Sequence, residues 1–214
     1  MTEAVSGPSL KDMNHPTLLA VVVLNFAVLW IIQRSGSLWA GDWIAVAAGW
    51  LSALPAGIGA ALIAVLNSQV SATTKARAVF WRWRHPLPGS EAFTRYGRGD
   101  ERIDMQALER KFGPLPFEPK DQNVLWYSLY RRVANDPAVL QIHRHFLFAR
   151  DYTFIAALML PIFGTAAFTA MRPRSIAAIY FLLLIAQWAL ATNAARKNGC
   201  RFVTTVLAQN GAGT

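Results

Sequence analysis

Four long stretches of the chain contain no aspartate, glutamate, lysine or arginine: residues 17–33, 43–66, 153–171 and 176–195. Each is close to the roughly 20 apolar residues that a helix needs to cross a bilayer. A helix satisfies its own backbone groups in lipid, which favours it over any open structure there. The chain is 54% hydrophobic and only 15% charged, against about 25% charged in an ordinary soluble domain. Outside the four stretches the charge density returns to that of a water-facing domain. The pattern divides the 214 residues into a bilayer part and a wet part. It excludes a purely soluble enzyme, a disordered chain and a disulfide scaffold, the last because Cys200 is the only cysteine.

The fold class expected is an all-α membrane protein with four transmembrane helices and a helical cytoplasmic insert between spans two and three. Its parts are a cytoplasmic N-terminus (1–16), a transmembrane hairpin (17–66, spans 17–33 and 43–66), a basic insert (67–152), a second hairpin (153–195, spans 153–171 and 176–195) and a tail (196–214). The first stretch reads as a span and not as a cleaved signal, because Glu3 and Asp12 accompany Lys11 ahead of it. Four spans put both termini and the insert on one side. That side carries all but Arg34, Arg172 and Arg174 of the 21 lysines and arginines. Cations accumulate in cytoplasmic loops, so that side is expected to be the cytoplasm; the membrane expected is the bacterial inner membrane.

Within span two, Ala45 and Gly49, then Ala53, Gly57 and Ala61, recur at four-residue spacing. Small residues so spaced let helix backbones approach closely in lipid. Gly49, Ala53, Gly57 and Ala61 are the candidate packing or oligomer face, with packing inside one chain as the plainer reading. Pro55 bends this span, and Pro161 with Gly164 bends the third. The spans hold no charged or histidine side chain, which argues against a proton- or ion-coupled carrier. Asn25 and Gln187 are the candidate polar lining of a passive path, unless they hydrogen-bond a neighbouring helix.

In the insert, residues 70–84 read as an extension of span two, ending in Trp81-Arg82-Trp83-Arg84 and stopped by His85-Pro86. Residues 89–102 read as a loop. Asp104 caps a helix ending near Phe112, with Gly113 as its C-cap. Asp121 caps a helix reaching Asn135, with Leu125, Leu129 and Val133 on one face and Trp126 and Tyr130 on the next. Asp136-Pro137 opens a helix that runs through Arg150-Asp151 into span three. In the tail, Phe202, Val203, Val206 and Leu207 form one stripe of a short helix after Gly199. That helix lies on the inner leaflet or docks against the insert.

Trp81, Arg82, Trp83 and Arg84, with Arg131, Arg132 and Arg150, are the candidate contacts for lipid, an anion or a partner. Alternating indoles and guanidiniums suit an interfacial anchor, and also suit stacking on nucleic acid. His143 and His145 stand two apart on a helix and diverge, so no metal site is expected. The sequence has no phosphate-binding loop, nucleophile elbow or zinc-protease motif. Catalytic residues and cofactors are therefore expected to be none.

In span count, chain size and basic insert, the chain resembles small four-span membrane subunits and effectors of bacterial anti-phage systems, such as the membrane component of Kiwa. That resemblance implies a membrane-anchored homo-oligomer. Its cytoplasmic part would sense a protein partner or a nucleic-acid-derived signal, and its spans would respond, as a pore in one version. A scaffold subunit of a larger membrane complex and a membrane-embedded enzyme on lipid or glycan are the alternatives.

Overall fold

The computed structural model describes residues 9–39, 41, 42, 44, 58, 59 and 61–211, without side chains for 36–39. Among the described residues the chain is all-helical and contains no strand. The helices are α1 (His15–Trp39), α2 (Ala72–Phe80), α3 (Met105–Phe112), α4 (Pro119–Arg132), α5 (Pro137–Ala170) and α6 (Arg174–Gly211), with a further helical stretch at 61–69. They fall into two compact units. One is Met1–Val70 with Asp151–Ala191, the other Ser71–Arg150 with Thr192–Thr214.

The first unit carries the apolar stretches. Asp12–Ser35, Pro137–Ala170 and Arg174–Gly211 are long and apolar enough to cross a membrane. Most of span two, including Gly49, Ala53, Pro55 and Gly57, lies outside the described residues, while Ala61 is exposed. Small or well-packed side chains face inward here: Val22, Leu29, Ile63, Met159, Phe163 and Ala177 are all at or below 1% exposure. Leu24, Ile58, Leu62, Ile179, Leu182, Leu183 and Leu190 are all more than half exposed. Soluble monomers rarely present an apolar surface of that extent. Three helices long and apolar enough to cross a membrane, with apolar side chains turned outward, are what a membrane protein presents. Gly59 permits one close helix approach, since a Cβ there would lie 2.6 Å from Ile162 Cγ2.

At 34 and 38 residues, α5 and α6 measure about 50 and 57 Å at 1.5 Å per residue. A bilayer core of about 30 Å uses only part of that length. The first 14 residues of α5 and the last 20 of α6 belong to the second unit instead. Asp136 starts α5 as read from the sequence, its Oδ1 accepting from the N–H of Ala138 at 2.9 Å and of Val139 at 3.2 Å. Helix α6 runs unbroken past Gly199, so the tail is no separate helix. Its stripe of Phe202, Val203, Val206 and Leu207 is buried in the second unit.

That unit packs around one core containing Val79, Phe93, Leu108, Trp126, Leu129, Val139, Phe146 and the α6 stripe. Phe202 sits among four rings. It stacks on His143 with centroids 4.5 Å apart, meets Trp126 and Tyr130 edge-on at 5.2 and 5.5 Å, and lies 5.9 Å from Phe146. Gly199 lets α6 come close, because a Cβ there would stand 2.8 Å from Phe80. Asn210 ties the end of α6 to α4, its Nδ2 donating to the Leu129 carbonyl at 3.2 Å.

Several local readings change. The helix after span two breaks at residues 70–71, and Ser71 starts a new one by accepting from the Thr74 N–H at 3.2 Å. Helix α2 stops at Phe80, four residues before the expected end, with Trp81 in the left-handed region at φ 56°. Residues 88–99 are consecutive short helical turns and not an open loop. Helix α4 begins with Pro119 in its first turn and ends at Arg132, so Asp121 lies inside the first turn and not at the cap. Proline cannot donate a backbone hydrogen bond and its fixed φ suits that opening position. The cap of α3 is as read: Asp104 accepts from the Ala107 N–H at 2.9 Å, and Gly113, at φ 86°, closes the helix.

Burial among these rings pushes the His143 imidazole down to about 4, aided by the charge of Arg150. His143 is therefore neutral at pH 7, and its Nδ1 lies 3.2 Å from the Tyr130 hydroxyl. In the unfolded chain the imidazole takes a proton near its ordinary value of about 6.5. Between those two values the unfolded state binds the extra proton, so stability falls as pH falls. The thermal midpoint of the detergent-solubilised protein is expected to drop between pH 6.5 and pH 4. His143→Phe keeps the stack and is expected to flatten that part of the profile.

Candidate functional site: a cationic cleft

One cleft of about 720 Å³ lies wholly within the second unit. Its cations come from three places in the sequence: Arg82 after α2, Arg95 in the turn Ala92–Tyr96, and Arg196 with Lys197 on α6. Arg82, Arg95 and Arg196 are each positioned by a specific local cause. The turn bearing Arg95 is pinned by Gln122, which is 1% exposed. Gln122 Oε1 accepts from the N–H groups of Phe93 at 3.0 Å and Thr94 at 3.2 Å, and its Nε2 donates to the Phe117 carbonyl at 2.7 Å. A buried amide that satisfies two backbone donors fixes the turn more tightly than apolar packing alone.

Arg82 and Arg95 share a single carboxylate, Glu91, at 2.6 and 3.1 Å. Two guanidiniums on one carboxylate leave a net positive charge. Arg196 donates from Nε to the Val79 carbonyl at 2.7 Å, and its guanidinium lies 4.1 Å from the Trp81 ring centroid. That cation–π contact accompanies the left-handed backbone at Trp81, whose N–H donates to the Arg77 carbonyl at 2.9 Å. A bulky residue rarely holds positive φ, and such strain of about 1–3 kcal/mol must be held by its surroundings.

The acid in the cleft is already committed. Asp100 accepts from Arg102 at both oxygens, at 2.9 and 2.6 Å. Arg102 holds the Asp100 carboxyl far below the usual carboxylate range. Arg102 Nη2 also lies 3.3 Å from the Thr204 hydroxyl of α6. Burial pushes the Tyr96 phenol upward, so it stays a neutral hydroxyl, and burial likewise raises the Cys200 thiol. The cleft thus combines surplus positive charge, neutral hydroxyls and an aromatic wall. That donor set is chemically suited to an anion.

Of the residues singled out in the sequence, Trp81 and Arg82 line this cleft. Arg84 lines a second one, of about 420 Å³, with Arg77, His85 and Lys120. Trp83 is 84% exposed. Arg131 and Arg132 are exposed on α4, where the Arg132 guanidinium lies 5.1 Å from the Phe112 ring centroid. Arg150 is buried. Asn25 donates to Val21 of its own helix at 2.9 Å, and Tyr180 donates to the Asn25 carbonyl at 3.2 Å. Gln187 donates to the Tyr152 hydroxyl at 2.6 Å. No group of three or more potential metal ligands occurs among the described residues. Sequence reasoning missed Arg95, Tyr96, Arg196, Lys197 and Cys200. The available signal was the spacing of Arg196, Lys197 and Cys200, which puts all three near one helix face.

No family model matches the chain, and no curated protein or solved structure is significantly similar to it.

Proposed function

We propose that the chain is a four-span protein of the bacterial inner membrane that acts as a homo-oligomeric sensor or effector. In this reading spans 17–33, 43–66, 153–171 and 176–195 cross the bilayer, and the unit Ser71–Arg150 with Thr192–Thr214 lies in the cytoplasm. The cationic cleft is the observation that carries the reading, because a folded unit with surplus, preorganised positive charge is equipped to receive an anionic signal. Helix α6 supplies Arg196, Lys197, Cys200 and Thr204 to the cleft and also carries the stretch read as the fourth span, so an event at the cleft bears directly on that helix. Lysines and arginines gathered on one side support the orientation. Small residues in span two support self-association through Gly49, Ala53 and Gly57. The response fits a membrane component of an anti-phage defence.

The test is a plaque assay on cells producing the chain or its Arg82→Glu/Arg95→Glu variant, with propidium uptake followed during infection. Protection and dye entry are expected for the natural sequence alone. Protection without dye entry removes the pore. Equal protection by the variant, or protection by neither, overturns the sensor reading. Fixed-stoichiometry co-purification with a different membrane protein would replace it with a scaffold. A phosphatase fused after Gly113 is expected to be inactive, and activity there would overturn the orientation.

A further inference from the structure

We infer that the cleft formed by Arg82, Arg95, Arg196 and Lys197 binds a ligand carrying at least two phosphate charges. The inference rests on the reading of this cleft as the signal-receiving site, and it names what the signal is chemically. Four cations converge on one space. Glu91 is shared between two of them, and Asp100 is occupied by Arg102. The surplus is therefore multiple, which favours a polyanion over a carboxylate or a single monoanionic group. Planar guanidiniums present paired N–H donors that match phosphate oxygens, and a lysine adds a mobile point charge. Tyr96 and Thr204 supply neutral hydroxyls in the same cleft, so oxygens left over by the cations find donors. The volume of about 720 Å³ falls in the range of small-molecule sites, about 300–1,000 Å³.

Two sources can offer that chemistry, a free organic diphosphate or the headgroup of a two-phosphate lipid. The lone thiol distinguishes them, because Cys200 lines the cleft and no other cysteine exists to react. The full chain would be placed in nanodiscs of phosphatidylcholine alone, or with cardiolipin added. Labelling of Cys200 by the anionic reagent 2-sulfonatoethyl methanethiosulfonate would be followed with and without pyrophosphate. In phosphatidylcholine, pyrophosphate at ten times its Kd is expected to slow labelling about tenfold, in proportion to site occupancy. Slow labelling in cardiolipin without pyrophosphate would assign the site to lipid. Fast labelling there, slowed by pyrophosphate, would assign it to a soluble phosphate.

The Arg95→Gln/Lys197→Gln variant is expected to lose protection in both arms, while Arg98→Gln, outside the cleft, keeps it. A thermal midpoint raised by pyrophosphate in the natural sequence and not in the double variant reads binding without the thiol. No protection and no midpoint shift with either phosphate source would overturn the inference. Because these measurements use purified protein, they separate the two ideas. Binding without phage protection sinks the defence role and leaves the site. Protection without binding does the reverse.

Discussion

Alanine in place of Phe202 is expected to destabilise the second unit by about 3–5 kcal/mol, the range for deleting a large buried ring. Phe202 is 4% exposed, and four aromatic side chains from α4 and α5 surround it. Truncation leaves a void among rings carried by two helices, and rigid rings collapse into it less readily than aliphatic chains. His143 loses its stacking partner, so its imidazole gains solvent and its titration moves back toward that of an ordinary histidine. Hydrogen–deuterium exchange should show α4 and the last part of α6 exchanging faster. Exchange in the apolar stretch 17–33 should stay unchanged, since Phe202 belongs to the other unit. Unaltered protection of α4 would refute the central role given to this ring.

Gln122→Leu is the second large effect. Leucine fills a similar volume but leaves the buried N–H of Phe93 and that of Thr94 without an acceptor, and the Phe117 carbonyl without its donor. Each buried group left unsatisfied costs about 1–3 kcal/mol, so a total near 3 kcal/mol or more is expected. The consequence reaches the cleft. The turn Ala92–Tyr96 carries Arg95 and Tyr96, and without its clamp the pair no longer stands opposite Arg196. Anion binding should weaken more than tenfold even at temperatures where the unit remains folded. Gln122→Glu keeps the acceptor and loses the amide donor, so it should fall between leucine and the natural residue. Affinity unchanged in the leucine variant would show that the turn is held by packing instead.

Much of the architecture was readable because it depends on local rules. Uncharged stretches near twenty residues announce apolar helices. Asp104 and Asp136 announce helix starts, since a short carboxylate next to free N–H groups works in any context. The continuous run from Pro137 through Asp151 followed from the absence of any breaker. Other features depend on distant partners and left no such trace. Nothing near Gln122 says that residues 93 and 94 will need its carbonyl, and nothing near Arg95 says that α6 will bring Arg196 and Lys197 beside it. The break at residues 70–71 was missed because a serine that caps competes weakly, on sequence alone, with an otherwise helical run. Residues 88–99 looked open because glycine and proline mark turns without revealing that successive turns will coil together.

Helix α6 contributes its last 20 residues to the second unit, and that fact has a consequence for biogenesis. Ribosomes release the chain from its N-terminus, so residues 71–150 are made while the stripe that fills their core is still unsynthesised. They must wait, with Trp126, Leu129 and Phe146 incompletely covered, until the apolar stretches 153–171 and 176–195 and the end of α6 have been made. The soluble-looking part of this protein is thus finished last. A chain that failed to complete α6 would leave an incomplete fold for proteases to recognise.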